Sequence, residues 1–208
     1  MLAPDAHLRR ADPVLARLID DFGGPLPEGP DFRGRPADEY GALVRGITGQ
    51  QLSVKAAAAI WARFLERYGG TTPKPEQILA DDPDELRVAA GFSHAKVRYL
   101  RSLAERIVAG ELDLERLPTL PDDEVVRELT AVTGIGEWTA HMFLMFTLQR
   151  PDVLPTGDLG VRNAVMRAYG LDAPPAPEAL RELAEPWRPY RTRASLYLWR
   201  SLRNEPMV

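Results

Sequence analysis

Two short stretches contain residue types whose spacing could support chemistry. In the first, Gly134 and Gly136 flank a single isoleucine directly before an apolar helical pattern. Glycine permits positive φ and a close approach of another backbone, and the unpaired amides at a helix N-terminus suit a phosphate. A plain helix-turn-helix corner is the simpler interpretation of a lone Gly-x-Gly pair. Glu137 favours that simpler interpretation, because an acidic residue in a first turn is ordinary capping chemistry and would repel an anion.

The second stretch is Asp158, which follows Pro-Thr-Gly and opens another helical pattern. An aspartate in that position is commonly an N-cap. The same position would also hold a charged carboxylate at the start of a helix, directed into any cleft that lies before it. The residues alone leave both roles open.

Composition limits the chemistry that these stretches could perform. The chain has 208 residues, which suits one large domain or two small ones, and it has no cysteine and only three histidines. Thiolate metal sites, iron-sulfur clusters held by cysteine and cysteine nucleophiles are therefore excluded, and a transition-metal site is not expected. The net charge of -4 argues mildly against a nucleic-acid partner, although the segment 187–205 is rich in arginine and aromatic residues.

The elements that must position these residues are helices. Apolar residues recur with helical period, and no segment alternates as a strand would. Helix starts are predicted at Asp12, Ser53, Asp82 and Ser93 from their capping side chains. We expect about ten short helices, and a loop over residues 23–36. There is no secretory h-region or membrane-spanning run, so a cytoplasmic protein without membrane association is expected.

Three motifs in order along the chain resemble one enzyme family. They are "LVRGITGQQLSVKAAAAIWARF" (43–64), "LTAVTGIGEWTAHMFLMFTLQRPDVLPTGDLGVRNAV" (129–165) and "WRPYRTRASLYLW" (187–199). This pattern is similar to the helix-hairpin-helix/GPD DNA glycosylases, and within them to the 3-methyladenine DNA glycosylase II branch. The resemblance runs from about Glu39 to Leu202.

The resemblance implies an all-α fold of two helical subdomains, with a helix-hairpin-helix motif and the active-site cleft between them. Residues 39–150 would form the central subdomain with the hairpin, and residues 1–38 and 151–208 the second one. Some members carry an additional N-terminal β domain, and the segment before Glu39 is too short for it.

The resemblance also assigns roles to the glycine hairpin. The amides of Gly134 and Gly136 would bind the DNA backbone. The main-chain carbonyls of Thr130, Val132 and Ile135 would bind a structural monovalent cation, sodium or potassium. No other cofactor is expected.

Asp158 takes the place of the family's catalytic carboxylate. An N-alkylated purine is already cationic, so its glycosidic bond can break without a strong acid, and a carboxylate can stabilise the developing sugar cation or the attacking water. Family members that also cut the backbone carry a lysine where this chain has Trp138. The resemblance therefore implies a monofunctional enzyme that uses water, with no lyase step.

The base pocket implied by the resemblance consists of Trp138, Met142, Leu159 and Trp199. Trp138, Met142 and Met145 share a helix face, and an indole can attract a cationic purine. Related enzymes often have aromatic residues at the positions of Met142 and Leu159, so the substrate range can differ here. Core packing is the alternative for Trp138, and packing between helices for Trp199.

The Gly-Gln-Gln turn supplies the family's wedge, which fills the gap left when a base is flipped out of the duplex. Gln51 falls at the wedge position, with Gln50 beside it. The alternative for Gln50 is a side chain that hydrogen-bonds the turn backbone and has no role on DNA.

The sequence thus predicts a glycosylase that removes 3-methyladenine or 7-methylguanine from damaged double-stranded DNA and acts as a monomer. One alternative is a non-catalytic helix-hairpin-helix DNA-binding module in which Asp158 only caps a helix. Another is a glycosylase for other damaged or mismatched bases.

Overall fold

The computed structural model describes residues 3–22 and 38–202. Those residues form twelve α-helices and two short 3-10 helices and contain no β-strand, so the predicted all-α class is confirmed. The 3-10 helices are Leu117–Thr119 and Glu185–Trp187. The α-helices are α1 (Pro4–Ala11), α2 (Pro13–Phe22), α3 (Glu39–Gly49), α4 (Val54–Arg67), α5 (Pro75–Ala80), α6 (Pro83–Ala90), α7 (His94–Val108), α8 (Asp122–Thr130), α9 (Glu137–Phe146), α10 (Leu159–Tyr169), α11 (Pro177–Leu183) and α12 (Arg191–Ser201).

The predicted helix starts carry the predicted caps. The Ser53 hydroxyl accepts a hydrogen bond from the Ala56 amide at 3.3 Å, and the Ser93 hydroxyl accepts one from the Lys96 amide at 3.3 Å. Asp82 accepts two amides of α6 at 2.9 Å each. Each cap satisfies N–H groups that the first helical turn leaves without a partner.

Three helices were not predicted, namely α1, α3 and α5. α5 has six residues and α1 eight, and the caps of α1 make no side-chain bond. α3 contains three glycines, which lower helix propensity, and its start depends on the Asp38 carboxylate that accepts the Gly41 amide at 2.7 Å. The expected 23–36 loop lies wholly outside the described residues.

The chain divides into two compact units. The middle unit is Phe32–Phe143, and the end unit combines Met1–Asp31 with Leu144–Val208. The boundaries expected from the sequence fall seven residues further along, after residues 38 and 150. The middle unit buries Phe64, Ile78 and Leu100 completely, and the end unit buries Trp187 and Tyr197.

The end unit is held together around one buried carboxylate. Asp12 caps α2 as predicted, because it accepts the Val14 amide at 2.8 Å. It also accepts the Trp187 indole N–H at 2.8 Å and the Tyr169 hydroxyl. Burial raises the pKa of Tyr169, so this hydroxyl stays protonated and can donate. Asp12 thereby joins an N-terminal helix to two segments near the other end of the chain.

Among the helices of the described segments, none combines the length and the apolar character needed to cross a bilayer.

Candidate functional site

Asp158 is the N-cap of α10, and its carboxylate is fixed by two donors. Its backbone is extended (φ -75°, ψ 115°), which turns the side chain back over the first helical turn. Oδ1 accepts the Val161 amide at 2.7 Å and the Trp199 indole N–H at 2.8 Å. The capping role and an orienting contact from a second helix therefore meet on the same oxygen.

Gly160 leaves the space for the contact between Asp158 and Trp199. A Cβ at position 160 would lie 2.9 Å from Asp158 Oδ1 and 3.2 Å from Trp199 Cδ1 and Nε1. The Trp199 ring also packs against Phe146, with 6.0 Å between ring centroids. These contacts define the orientation of the carboxylate from two sides.

The turn that precedes Asp158 is largely buried. Residues 153–156 are buried, and the Asp158 amide donates to the Pro155 carbonyl at 2.9 Å. Leu159, the first residue of α10, is by contrast 61% exposed. The Asp158 corner, by which we mean residues 155–160 with Trp199, thus has a rigid base and an exposed rim.

The glycine hairpin joins α8 to α9 in the middle unit. Gly134 has φ +90°, and a Cβ there would lie 2.1 Å from Cγ of Tyr99 on α7. No side chain larger than hydrogen fits without displacing that ring. Gly136 has no positive φ, and a Cβ there would meet nothing within 4 Å. The two glycines therefore differ in how strictly the fold requires them.

Two side chains hold the hairpin backbone. The Ser102 hydroxyl on α7 accepts the Thr133 amide at 3.2 Å, and the Gln50 side-chain amide donates to the Gly134 carbonyl at 2.9 Å. Within the described stretches, the amides of Gly134 and Gly136 donate to no protein acceptor. Those donors lie at the N-terminus of α9, where the helix dipole favours an anion.

Along α9, the two residues predicted for the base pocket, Trp138 and Met142, and Met145 on the same helix face become progressively more buried. Trp138 in the first turn is 47% exposed, Met142 is half-buried and Met145 is 4% exposed. Glu137 and His141 form an ion pair at 3.7 Å between the carboxylate and the imidazole. The alternative interpretation placed Trp138 in the core, but its indole is exposed.

The Gly-Gln-Gln turn ends α3 and places its two glutamines differently. Gln51 has φ 57° and is exposed, as are Leu52 and Val54 beside it. Gln50 instead donates to the Gly134 carbonyl of the hairpin, 84 positions away, whereas the alternative had placed this hydrogen bond on the backbone of its own turn. A role of Gln50 as an intercalating residue stays a prediction.

The carbonyls predicted to bind a cation lie at the end of α8 and in the hairpin. The Val132 carbonyl accepts the Ile135 amide at 3.1 Å, which leaves it a second lone pair, and both residues are buried. Thr130 is the last residue of α8. Over the parts of the chain that the structure describes, no cluster of histidine, aspartate and glutamate could hold a metal ion.

Comparisons with known proteins agree on one family. The model of the HhH-GPD superfamily of base excision DNA repair proteins matches residues 44–189. DNA-3-methyladenine glycosylase 1 of Schizosaccharomyces pombe is 35% identical over 199 residues, which cover 95% of this chain and 86% of that protein. The chain belongs to the HhH-GPD superfamily, in its alkylation-repair branch.

Solved structures of HhH-GPD proteins match over nearly the whole chain. The 3-methyladenine DNA glycosylase of S. pombe in complex with abasic DNA has a TM-score of 0.83 and 33% identity, covering 99% of this chain and 98% of that one. The DNA-3-methyladenine glycosidase of Bacillus halodurans has a TM-score of 0.83 and 36% identity, covering 97% and 90%.

Some HhH-GPD relatives are longer. YfjP of Bacillus subtilis is 36% identical over 169 residues, which are 78% of this chain but 58% of YfjP. The chain thus spans little more than half the length of that relative.

Sequence reasoning missed the residues that support the HhH-GPD motifs. Tyr99, Ser102, Phe146 and Gly160 were not singled out, although Ser102 and Tyr99 lie against the hairpin, and Phe146 and Gly160 against Trp199. Ser102 and Tyr99 lie one turn apart on α7, which was predicted only as a capped amphipathic helix. That i, i+3 spacing was visible in the sequence, but it does not say which loop the helix face supports.

Proposed function

We propose that this chain is a monofunctional DNA glycosylase that hydrolyses the N-glycosidic bond of alkylated purines of the 3-methyladenine type in base excision repair. The observation that carries the proposal is the Asp158 carboxylate, held on one oxygen by the Val161 amide at 2.7 Å and the Trp199 indole at 2.8 Å. The similar protein of S. pombe is named a 3-methyladenine DNA glycosylase, and its structure is described in complex with abasic DNA.

Asp158 acts on the sugar rather than on the base. The N-alkylated purine leaves as a neutral base, because it already carries the positive charge before the bond breaks. The sugar becomes cationic as the bond lengthens, and a carboxylate that is already oriented stabilises this charge without reorganising. Asp158 can also accept the proton of the attacking water.

Trp138 supports the absence of a lyase step. An indole cannot form the imine that a lysine forms at this position in relatives that cut the backbone. Almost half of the Trp138 surface is exposed, and its indole stacks on the flipped cationic purine, beside Met142 on the same helix. Within the end unit, Leu159 and Trp199 supply apolar surface next to Asp158.

The glycine hairpin binds the DNA backbone. The Gly134 and Gly136 amides point a pair of donors at one phosphate, and Gln51 on its exposed turn fills the gap left by the flipped base. Affinity that depends on phosphates falls as salt rises, even for a protein with a net charge of -4. The carbonyls of Thr130, Val132 and Ile135 have the oxygen chemistry that suits a sodium or potassium ion close to this grip.

The decisive experiment measures base release by wild type and by Asp158→Asn. Duplexes would contain one 3-methyladenine, 7-methylguanine, hypoxanthine or 8-oxoguanine, so that the same assay identifies the substrate class. We expect release of the methylated purines, and a loss of about 10²–10³-fold in Asp158→Asn, which keeps the shape but not the charge. Asparagine is also a good N-cap, so the stability should change little.

Asp82→Asn is the matched control, because it makes the same substitution at another capping aspartate. It should release base at the wild-type rate. Release by Asp158→Asn at the wild-type rate would contradict the mechanism.

The capping bond of Asp158 also favours a second candidate, a DNA-binding module without catalysis. That candidate requires binding to abasic DNA together with no base release from any of the duplexes. Backbone cleavage coupled to base release would contradict the monofunctional assignment.

A further inference from the structure

Gln50 connects the two elements to which we assign contacts with DNA in the middle unit. Its side-chain nitrogen donates to the Gly134 carbonyl at 2.9 Å and lies 3.5 Å from the Thr139 hydroxyl. Gly134 belongs to the hairpin and Thr139 to the first turn of α9, while Gln50 directly precedes the exposed Gln51. One side chain thus joins the wedge turn to the hairpin across 84 positions of sequence.

The turn is also held on its other side. The Lys96 ammonium on α7 donates to the Thr48 carbonyl at 2.7 Å, close to the C-terminus of α3. Burial lowers the pKa of Lys96, so its hydrogen bond is made in a partly dry environment. Ser53 then caps α4 on the far side of the turn. Residues 48–53 are therefore fixed at three points, of which only Gln50 reaches the hairpin.

Gln51 needs such support because its backbone is left-handed, with φ 57°. A residue with a side chain adopts this region rarely, and it persists only where the surrounding structure imposes it. In this conformation Gln51 stands on an exposed turn beside Leu52 and Val54. The conformation that exposes Gln51 thus follows directly after the residue anchored to the hairpin.

We propose that Gln50 is a positioning residue, which sets the distance between the Gln51 wedge and the phosphate-binding hairpin so that both engage the duplex in one step. This inference rests on the proposed function, because it needs a DNA duplex as ligand. It differs from the intercalating role, since the Gln50 donor is used within the protein. Without this hydrogen bond the wedge turn and the hairpin both stay folded, but the distance between them is no longer fixed.

The test uses a duplex with a tetrahydrofuran abasic site and 2-aminopurine as the neighbouring base. Wedge insertion unstacks 2-aminopurine and raises its fluorescence, while anisotropy of the labelled duplex reports binding. Gln50→Met keeps the length of the side chain and removes the donor, and Gln50→Ala removes both. Gln77→Ala is the matched control, because Gln77 accepts a main-chain amide at 2.8 Å elsewhere in the same unit.

We expect Gln50→Met and Gln50→Ala to lower the rate of the fluorescence rise by about three- to tenfold, the size of one lost hydrogen bond. Thermal melting should change no more than in Gln77→Ala, which should insert like wild type. Gln51→Ala should abolish most of the rise. Adding Gln50→Met to Gln51→Ala should then have no further effect, because Gln50 acts only through the wedge.

Two results would overturn the inference. One is an unchanged fluorescence rise in Gln50→Met, and the other is a loss in the double variant equal to the product of the two single losses. Failure of the proposed function looks different, since wild type would then release no methylated base from any duplex, whether or not it binds the abasic duplex.

Discussion

The Asp158 corner and the glycine hairpin differ in whether a side chain or the backbone is the group that we propose to act. In the corner, the proposed chemistry belongs to the Asp158 side chain, which the Val161 amide and the Trp199 indole N–H orient. In the hairpin, the proposed chemistry belongs to backbone amides, and the side chains of Ser102 and Gln50 hold that backbone. The residue that acts is therefore recognisable by type in the corner, whereas in the hairpin the recognisable residues are the ones with no side chain.

A glycine sits at the tightest point of each region, but with different neighbours. A Cβ at Gly134 would meet the rigid ring of Tyr99 at 2.1 Å, and φ there is positive. A Cβ at Gly160 would meet a carboxylate oxygen at 2.9 Å, in a helix where any residue is allowed. Substitution at Gly134 should thus damage the fold, whereas substitution at Gly160 should damage the chemistry.

Gly134→Ala should have the largest effect on stability. The positive φ and the clash with Tyr99 together should lower the free energy of unfolding by about 2–5 kcal/mol. Urea unfolding would measure this loss, and anisotropy would show weakened binding to abasic DNA.

A second variant separates the two causes at Gly134. In a Tyr99→Ala background, Gly134→Ala should lower the free energy of unfolding by less than it does in wild type. The clash with the ring is then absent, and only the strain of the positive φ remains. Unaltered stability of Gly134→Ala would show that the hairpin does not need a glycine there.

Trp199→Phe should have the next largest effect, on rate and not on fold. Phenylalanine keeps a ring against Phe146 but removes the N–H that Asp158 Oδ1 accepts. A hydrogen bond to a charged group contributes about 1.5–3 kcal/mol, so single-turnover base release should slow by about ten- to a hundredfold.

Trp187→Phe is its control within the same unit. That indole also donates to a carboxylate, that of Asp12, at 2.8 Å, but in the core of the unit. It should lower the melting temperature and leave the rate of the folded enzyme unchanged. Equal slowing of base release by both variants would contradict the orienting role of Trp199, because loss of an indole donor far from Asp158 would then have the same effect.

How much could be predicted from the sequence follows the same division. A role could be predicted from the residue type for Asp158, for Trp138 and for the capping residues. The capping residues lie where they were predicted. The supports of the hairpin were missed, because a Tyr99 or a Ser102 becomes significant only when α7 is placed beside a loop more than 30 residues away. α3 was missed because its three glycines lower its local helix propensity. Burial of its apolar residues in the middle unit overrides that low propensity.

Gly160→Ala should have a smaller effect than Trp199→Phe. The carboxylate or the indole can move by a few tenths of an ångström, so the hydrogen bond is lengthened rather than lost. We expect base release to slow by about three- to tenfold, with a melting temperature no lower than that of wild type, because alanine favours the helix. A fall in stability comparable to that of Gly134→Ala would remove the distinction between the two glycines.

Ser102→Ala should have the smallest effect and the most specific one. The bond from the Thr133 amide is 3.2 Å long, so its loss should cost about 0.5–1 kcal/mol and weaken binding to abasic DNA about two- to fivefold. The slope of log affinity against log salt should stay the same, because the slope counts phosphate contacts and the variant removes none of them. Affinity titrations at four salt concentrations would measure both quantities. A shallower slope would mean that Ser102 itself contacts a phosphate, and the hairpin would then use side-chain chemistry as the Asp158 corner does.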